Sequence, residues 1–234
     1  MVRAQERHQK GRQVIIASRF NGPPNSGNGG YTAGLVASHV DGGQRGVRVR
    51  LHRPPPLDTE MSVRGGEVVK VYAAEDLIAE ATADAVDDAV VPGVPYADAV
   101  TASPSYPGFV AHLFPTCFAC GPLREDGLRL FPGRLPDGRT AAPFVVPADI
   151  SSVLVWASLD CPGGWAVPLE ARPYVLGQMT ARVDAVPVPG DECVVMGEMT
   201  GEDGRKAYVR STLFGPTGTV LATARATWLA LPSA

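Results

Sequence analysis

The chain has 234 residues, of which 45% are apolar and 19% charged, and its formal net charge is −3. This length and apolar content are typical of a globular protein with one large core or two smaller ones. The acidic balance lacks the basic excess that nucleic acid or anionic lipid selects, so neither is an expected partner. Met1–Arg12 is charged and contains no apolar segment, and no apolar run is long enough to cross a bilayer, which predicts a cytoplasmic protein.

The first predicted helix runs from Gly29 to Val40, after the helix-starting residues Ser26, Gly27 and Asn28. The segments behind it alternate apolar and polar residues and are rich in β-branched side chains, as in half-buried strands. These three predicted strands are Val47–Arg53, Glu67–Ala73 and Leu77–Val86.

The second half repeats this order, with a predicted helix from Ser151 to about Trp165. Four predicted strands follow it: Gln178–Val186, Cys193–Met199, Lys206–Phe214 and Val220–Leu229. The segment 91–122, rich in proline and small residues, is predicted to link the halves, or alternatively to form an ordered loop over one face. The expected domains are therefore residues 1–90 and 123–234.

The two halves also share residue patterns, which indicate an internal repeat. Pro54–Asp58 aligns with Pro187–Asp191 in a turn, and Leu77–Ala83 aligns with Val220–Ala226 in a final strand. A helix buried against a curled antiparallel sheet forms an α+β unit, and two units can share one sheet. The predicted fold is therefore a tandem or double hotdog, in which a continuous antiparallel sheet wraps two long helices.

The two helix starts differ in the residues that could support chemistry. Asn28-Gly29-Gly30 resembles the His-Gly-Gly opening of the central helix in hotdog thioesterases, with asparagine in place of histidine, but the later acidic residue of that family is missing near Ala37. The second helix lacks the glycines, whereas Trp156–Asp160 resembles the acid-bearing part. Each helix therefore retains what the other lacks.

This division resembles fused double-hotdog acyl-CoA thioesterases, in which two ancestral sites have become one composite site. Phe20–Pro24, Leu159–Gly164 and the last strand through Trp228 are similar to the actinobacterial members of that family. The resemblance implies hydrolysis of an acyl thioester carried on coenzyme A or acyl carrier protein, without a cofactor. A non-catalytic acyl-thioester binding protein is the alternative, and a hotdog hydratase or dehydratase is a weaker one.

The predicted catalytic residues are Asp160, Asn28, Gly29 and Gly30. The amides of the two glycines are expected to stabilise the oxyanion of thioester hydrolysis, although the glycines could instead serve a tight turn or a close helix contact. Asp160 follows apolar helical residues, which should raise its pKa for a role as base or nucleophile. It could instead cap a turn at Cys161–Gly164.

The remaining predictions concern ligand contacts and assembly. The aromatic residues Tyr31 and Trp156, beside these motifs, are predicted to bind substrate. The pair Cys117 and Cys120, near His112 and before Cys161 and Cys193, could bind zinc, but a single C-x-x-C favours buried thiols, and no metal site is predicted. Four arginines of the first half could meet coenzyme A phosphates, but their alternation favours a solvated sheet face; they are Arg45, Arg48, Arg50 and Arg53. Exposed sheet edges leave a homodimer possible.

Overall fold

The structure is a computed structural model that describes residues 12–41, 45–87, 89–169 and 172–232. Its α-helices are α1 (Gly29–Ala37), α2 (Tyr96–Ala102) and α3 (Ser152–Trp165). Its strands are β1 (Arg12–Val14), β2 (Val47–Leu51), β3 (Met61–Arg64), β4 (Val69–Ala73), β5 (Asp76–Ala83), β6 (Gly133–Arg134), β7 (Thr140–Val145), β8 (Tyr174–Val183), β9 (Glu192–Asp203), β10 (Lys206–Phe214) and β11 (Val220–Ala230). None of the helices in these ranges is long and apolar enough to cross a membrane.

The strands form one antiparallel sheet with the order β1-β3-β4-β5-β2-β8-β11-β10-β9-β7-β6. The two halves therefore have the same strand order, read outward from a centre where β2 pairs with β8. The pairing of equivalent strands supports the repeat that was predicted from sequence. Ala79 pairs with Leu51 of β2, and its sequence equivalent Ala222 pairs with Val183 of β8.

Helices α1 and α3 pack against each other in antiparallel directions. Gly30 near the start of α1 contacts Ala157, whereas Gly34, one turn later, contacts the earlier residues Val153 and Trp156 of α3. A Cβ atom at Gly34 would lie 2.7 Å from the Cβ of Trp156, so glycine is what allows the two backbones to approach this closely. The start of α1 therefore lies beside the middle of α3.

The segment 91–122 is an ordered cover rather than an extended linker. Val91 and, in α2, Ala99 pack on Val194 and Met196 of β9, on the sheet face opposite the main core. Farther along, Phe118 is buried in the main core beside the helices. The segment thus passes from one face of the sheet to the other, whereas the alternative predicted from sequence was an ordered loop over one face. The domain boundaries at residues 90 and 123 remain predictions.

Three features of the fold differ from the sequence predictions. Helix α1 ends at Ala37 rather than Val40. The strands β1, β3, β6 and β7 were not predicted, since most have two to four residues and show too little alternation. Helix α3 continues through Pro162, although proline removes a helical hydrogen bond, because the residues from Leu154 to Trp165 are buried and tertiary packing stabilises the helix.

Candidate active site

Asp160 lies in the middle of α3 and is buried, with only 3% of its surface exposed. Its Oδ2 atom accepts a hydrogen bond of 2.8 Å from the backbone N–H of Gly30 and a longer one, of 3.4 Å, from Nδ2 of Asn28. Both donors belong to the start of α1. The structure therefore brings together the acid of one helix and the Asn28-Gly29-Gly30 turn of the other.

The other carboxylate oxygen, Oδ1, is buried and has no hydrogen-bond partner among the described residues. Buried carboxylate oxygens normally have a partner, because leaving one without a donor costs free energy. An unpartnered acceptor at this place is therefore available to a water molecule or a ligand.

The burial of Asp160 raises the pKa of its carboxyl group to about 7. Loss of solvation of the charged form is the main cause, and the nearby Cys117 contributes in the same direction. The hydrogen bonds from Gly30 and Asn28 act in the opposite direction, because they stabilise the carboxylate. Such a pKa lets one group accept and return a proton near neutral pH.

The backbone N–H groups at the start of α1 differ in their hydrogen-bond partners. Asn28 caps the helix, since its Oδ1 accepts from the N–H of Tyr31 at 2.8 Å. The N–H of Gly30 is bonded to Asp160, whereas the N–H of Gly29 has no acceptor among the described residues. Of the two predicted oxyanion donors, only Gly29 is free to bind one.

Gly30 has a different role from the one predicted for it. A Cβ atom at this position would lie 2.6 Å from the Cβ of Asp160 and 2.8 Å from the carbonyl oxygen of Trp156. Gly30 thus allows the helix contact that carries Asp160, and it donates to the carboxylate rather than to a substrate. The alternative of a close helix contact holds for this glycine.

A cavity of about 480 Å³ opens at the same place. Asn28, Gly29 and Asp160 form part of its lining. The rest is mostly apolar and includes Leu51, Leu169, Trp165, Leu176, Trp228 and Leu231. Trp228 also has a buried Nε1 atom without an acceptor among the described residues. The cavity therefore combines apolar walls with a few polar groups, as sites for small molecules commonly do.

Tyr31 and Trp156 do not line this cavity. Tyr31 stacks on Phe20 with ring centroids 3.9 Å apart, and Trp156 packs against Gly34 in the contact between the helices. Their aromatic side chains stabilise the walls behind the site. The positions of Tyr31 and Trp156 away from the cavity lining do not support the predicted contact with substrate.

Several residues of the cavity wall come from β8 and β11 and were not predicted from the sequence. Gly177 is the extra residue of a bulge, since Gln178 pairs with Thr227 and Leu176 with Trp228. Leu176 and Gly177 both line the cavity there. A glycine inside an alternating strand is a known signal of a bulge, and it could have marked this position.

Two alternatives from the sequence were a turn cap for Asp160 and a solvated sheet face for the arginines. Asp160 does not cap a turn at Cys161–Gly164, because α3 continues to Trp165 and the observed donors come from α1. Arg48 and Arg50 are exposed on β2 while the intervening Val49 is buried, as expected for a solvated face. Arg53, beyond the strand, lies on the cavity lining.

No known protein family and no curated protein matches this sequence. Solved structures do match its fold. A hot dog fold protein of unknown function from Alicyclobacillus acidocaldarius is 18% identical with a TM-score of 0.65, and the match covers 97% of this chain and 96% of that one. A putative thioesterase from Novosphingobium aromaticivorans is 14% identical with a TM-score of 0.63, over 94% and 95% of the two chains.

An acyl-CoA thioesterase II from Mycobacterium marinum is similar over 98% of this chain and 96% of its own, with a TM-score of 0.59 and 13% identity. These matches extend over nearly the whole chain and include a protein described by its hot dog fold. Together with the strand order and the two packed helices, they confirm the predicted fold. The chain is a double hotdog protein.

Proposed function

We propose that this protein hydrolyses an acyl thioester at a single composite site between its two halves. The observation that carries the proposal is the buried Asp160 carboxylate, which is held by donors of α1 and has one unpartnered oxygen at an apolar cavity. Several solved structures with this fold are described as thioesterases, which favours the same class of reaction here.

In the proposed reaction, the Oδ1 atom of Asp160 takes a proton from water, and the resulting hydroxide attacks the thioester carbonyl carbon. The free N–H of Gly29, at the positive end of α1, donates to the oxygen as it becomes an anion. When the intermediate collapses, the carbon–sulfur bond breaks, and the leaving thiolate takes the proton from Asp160. The products are a carboxylic acid and a free thiol.

Asp160 could instead attack the acyl carbon directly to form a mixed anhydride. A single turnover in ¹⁸O-labelled water detects one form of this route. If water opens the anhydride at the Asp160 carbonyl, the label enters the protein and the first product carries an oxygen from Asp160. A labelled first product and an unlabelled protein fit activation of water by Asp160, or opening of the anhydride at the substrate carbon.

The acyl chain is proposed to occupy the cavity, with its carrier outside. Arg53 lies on the cavity lining, and its side chain is 60% exposed and pairs with Asp76 at 3.2 Å. It is proposed to meet a phosphate of coenzyme A or of the acyl carrier protein prosthetic group. We assign the rim role to Arg53 alone of the four arginines, because the other three are not on the cavity lining.

The direct test is a panel of acyl-CoA thioesters of different chain length, with release of free thiol as the readout. We expect hydrolysis of at least one chain length. Tight binding of acyl-CoA in calorimetry without release of thiol from any substrate would favour the non-catalytic binding protein and contradict hydrolysis.

A further inference from the structure

Three cysteines meet beside the cavity although they are distant in sequence. Their Sγ atoms all lie within 4.8 Å of one another, and all three thiols are free and buried. Cys117 and Cys120 belong to the segment that returns from the outer face of the sheet, and Cys161 belongs to α3. The single C-x-x-C motif of the sequence is thus joined by a third cysteine in the fold.

The spacing of these sulfur atoms is close to that of a tetrahedral zinc site. Zinc binds thiolates at about 2.3 Å, which places two sulfur ligands about 3.8 Å apart. Sulfur atoms within 4.8 Å can reach that separation by side-chain movements of about 1 Å or less. A soft set of three sulfur ligands favours zinc over magnesium or calcium.

Hydrogen-bond donors already surround the sulfur atoms, as expected where thiolates form. Nδ2 of Asn28 donates to the Sγ atom of Cys117 at 3.7 Å. His112 contributes at Cys120, because its Nε2 lies 3.3 Å from the Sγ atom. These donors would stabilise negative charge on the sulfur atoms in the way that groups around metal ligands do.

We propose that Cys117, Cys120 and Cys161 bind one zinc ion as thiolates and thereby fasten the covering segment to α3 beside the cavity. Binding breaks three S–H bonds, forms three Zn–S bonds and releases three protons to solvent. Nothing is oxidised or reduced.

His112 is assigned as a donor to this centre and not as its fourth ligand. Its Nδ1 accepts the N–H of Phe114 at 3.0 Å, so the neutral ring carries its proton on Nε2, facing Cys120. A metal-bound histidine instead uses its second ring nitrogen as a donor. Cys117, Cys120 and Cys161 all line the cavity. A water molecule can therefore supply the fourth ligand.

The first experiment measures the metal content of reduced protein purified from zinc-supplemented cells. We expect one zinc per chain in the native protein and a loss of at least about 90% in Cys161→Ser. Cys193→Ser is the matched control, because Cys193 is a buried free cysteine outside the cluster, and it should retain one zinc. A native protein without zinc, or equal zinc in both variants, would overturn the proposal.

A second experiment needs no variant and is therefore independent of any folding defect. Chelator-treated, reduced native protein is titrated with Co²⁺, which reports thiolate ligands through charge-transfer absorption and tetrahedral geometry through visible bands. We expect both signals to saturate at one equivalent and to disappear when zinc is added. Absence of these bands from folded protein, or mass spectrometry showing a disulfide among the three cysteines after reduction and metal addition, would contradict the proposal.

The assignment of His112 has its own test. His112→Ala should keep one zinc per chain while weakening zinc binding about tenfold, as loss of a neighbouring donor typically does. Loss of the metal altogether would overturn the assignment of a water as the fourth ligand. None of these measurements uses hydrolysis, so failure of the zinc proposal and failure of the proposed function are distinguishable.

Discussion

The starts of α1 and α3 occupy equivalent places in the two halves but differ in their residues and in their position relative to the cavity. At α3, Ser151 caps its own helix by accepting from the N–H of Leu154, and no glycine follows at the next two positions. At α1, Asn28 caps the helix, the N–H of Gly30 donates to Asp160, and Gly29 lines the cavity. Of these two helix starts, only that of α1 lies on the cavity lining.

The positions that face these two starts differ as well. Asp160 lies opposite the start of α1, whereas the equivalent turn of α1, near Ala37, has no acidic side chain. An acid and a helix start on the cavity lining meet at one end of the helix pair. The groups that the proposed reaction needs therefore lie at that end.

The largest expected effect concerns Asp160 itself. Asp160→Asn keeps the shape of the side chain but cannot accept a proton, so we expect kcat/KM for thioester hydrolysis to fall by about 10²- to 10⁴-fold. Asp203→Asn, at the exposed end of β9, is the control and should hydrolyse as the native protein does. Equal rates for native protein and Asp160→Asn across all chain lengths would make Asp160 a structural residue.

The next effect concerns the helix contact at Gly30. Gly30→Ala would place a Cβ atom 2.8 Å from the backbone oxygen of Trp156, and overpacking of this kind costs about 1–3 kcal/mol of unfolding free energy. Gly65→Ala is the matched control, since its Cβ would meet nothing within 4 Å. Urea denaturation measures the free energy of unfolding of both variants. Equal stability of the two variants would show that the helices can separate without cost.

A smaller effect separates the two functions of Asn28. Asn28→Ser keeps an oxygen for the helix cap but removes the Nδ2 donor to Asp160. Loss of a donor to the carboxylate raises the pKa of Asp160 further, by up to about one unit for a charged hydrogen bond. Since the carboxylate is the active form, native kcat/KM should rise as the pH passes about 7.

In the Asn28→Ser variant this rise should occur at higher pH. The profiles are measured on chelator-treated protein, because a bound cation near Asp160 would change the pKa by itself. Identical pH profiles for native protein and Asn28→Ser would show that Asn28 does not stabilise the carboxylate.

The smallest expected effect tests the cavity rim. Arg53→Ala should raise KM for acyl-CoA about two- to fivefold, as expected for an exposed ion pair with a phosphate. The KM for the matching N-acetylcysteamine thioester, which has no phosphate, should not change. Arg50→Ala on the outer sheet face should change neither value. An equal change with both substrates would assign Arg53 to packing at the rim.

The sequence predicted the helix starts and the longer strands because these carry repeated local signals. The alternation at Lys206–Phe214 gave the strand that is observed, and the serine and asparagine before the helices marked their starts. The composite site implied by the resemblance also grouped Asp160 with the start of α1. Local patterns are sufficient where one helix face or one strand face is buried along its length.

The roles within the site depended on contacts that have no local signal. That the N–H of Gly30 is taken by Asp160 while that of Gly29 is free follows from how α1 crosses α3. Cys161 joins Cys117 only because the covering segment returns to α3. Tyr31 and Trp156 were predicted to bind substrate because they lie beside the motifs in sequence, which does not show the direction of a side chain on a helix.

The most direct test of the composite site is a double-mutant cycle between its two halves. Asn28→Ser, Asp160→Asn and the double variant are compared with native protein by kcat/KM at pH 7. If both residues act through one carboxylate, Asn28→Ser lowers the rate in the native background by up to about tenfold and has no further effect in Asp160→Asn. If Asn28→Ser lowers the rate by the same factor in both backgrounds, the two residues act independently, and the account of a single composite site is wrong.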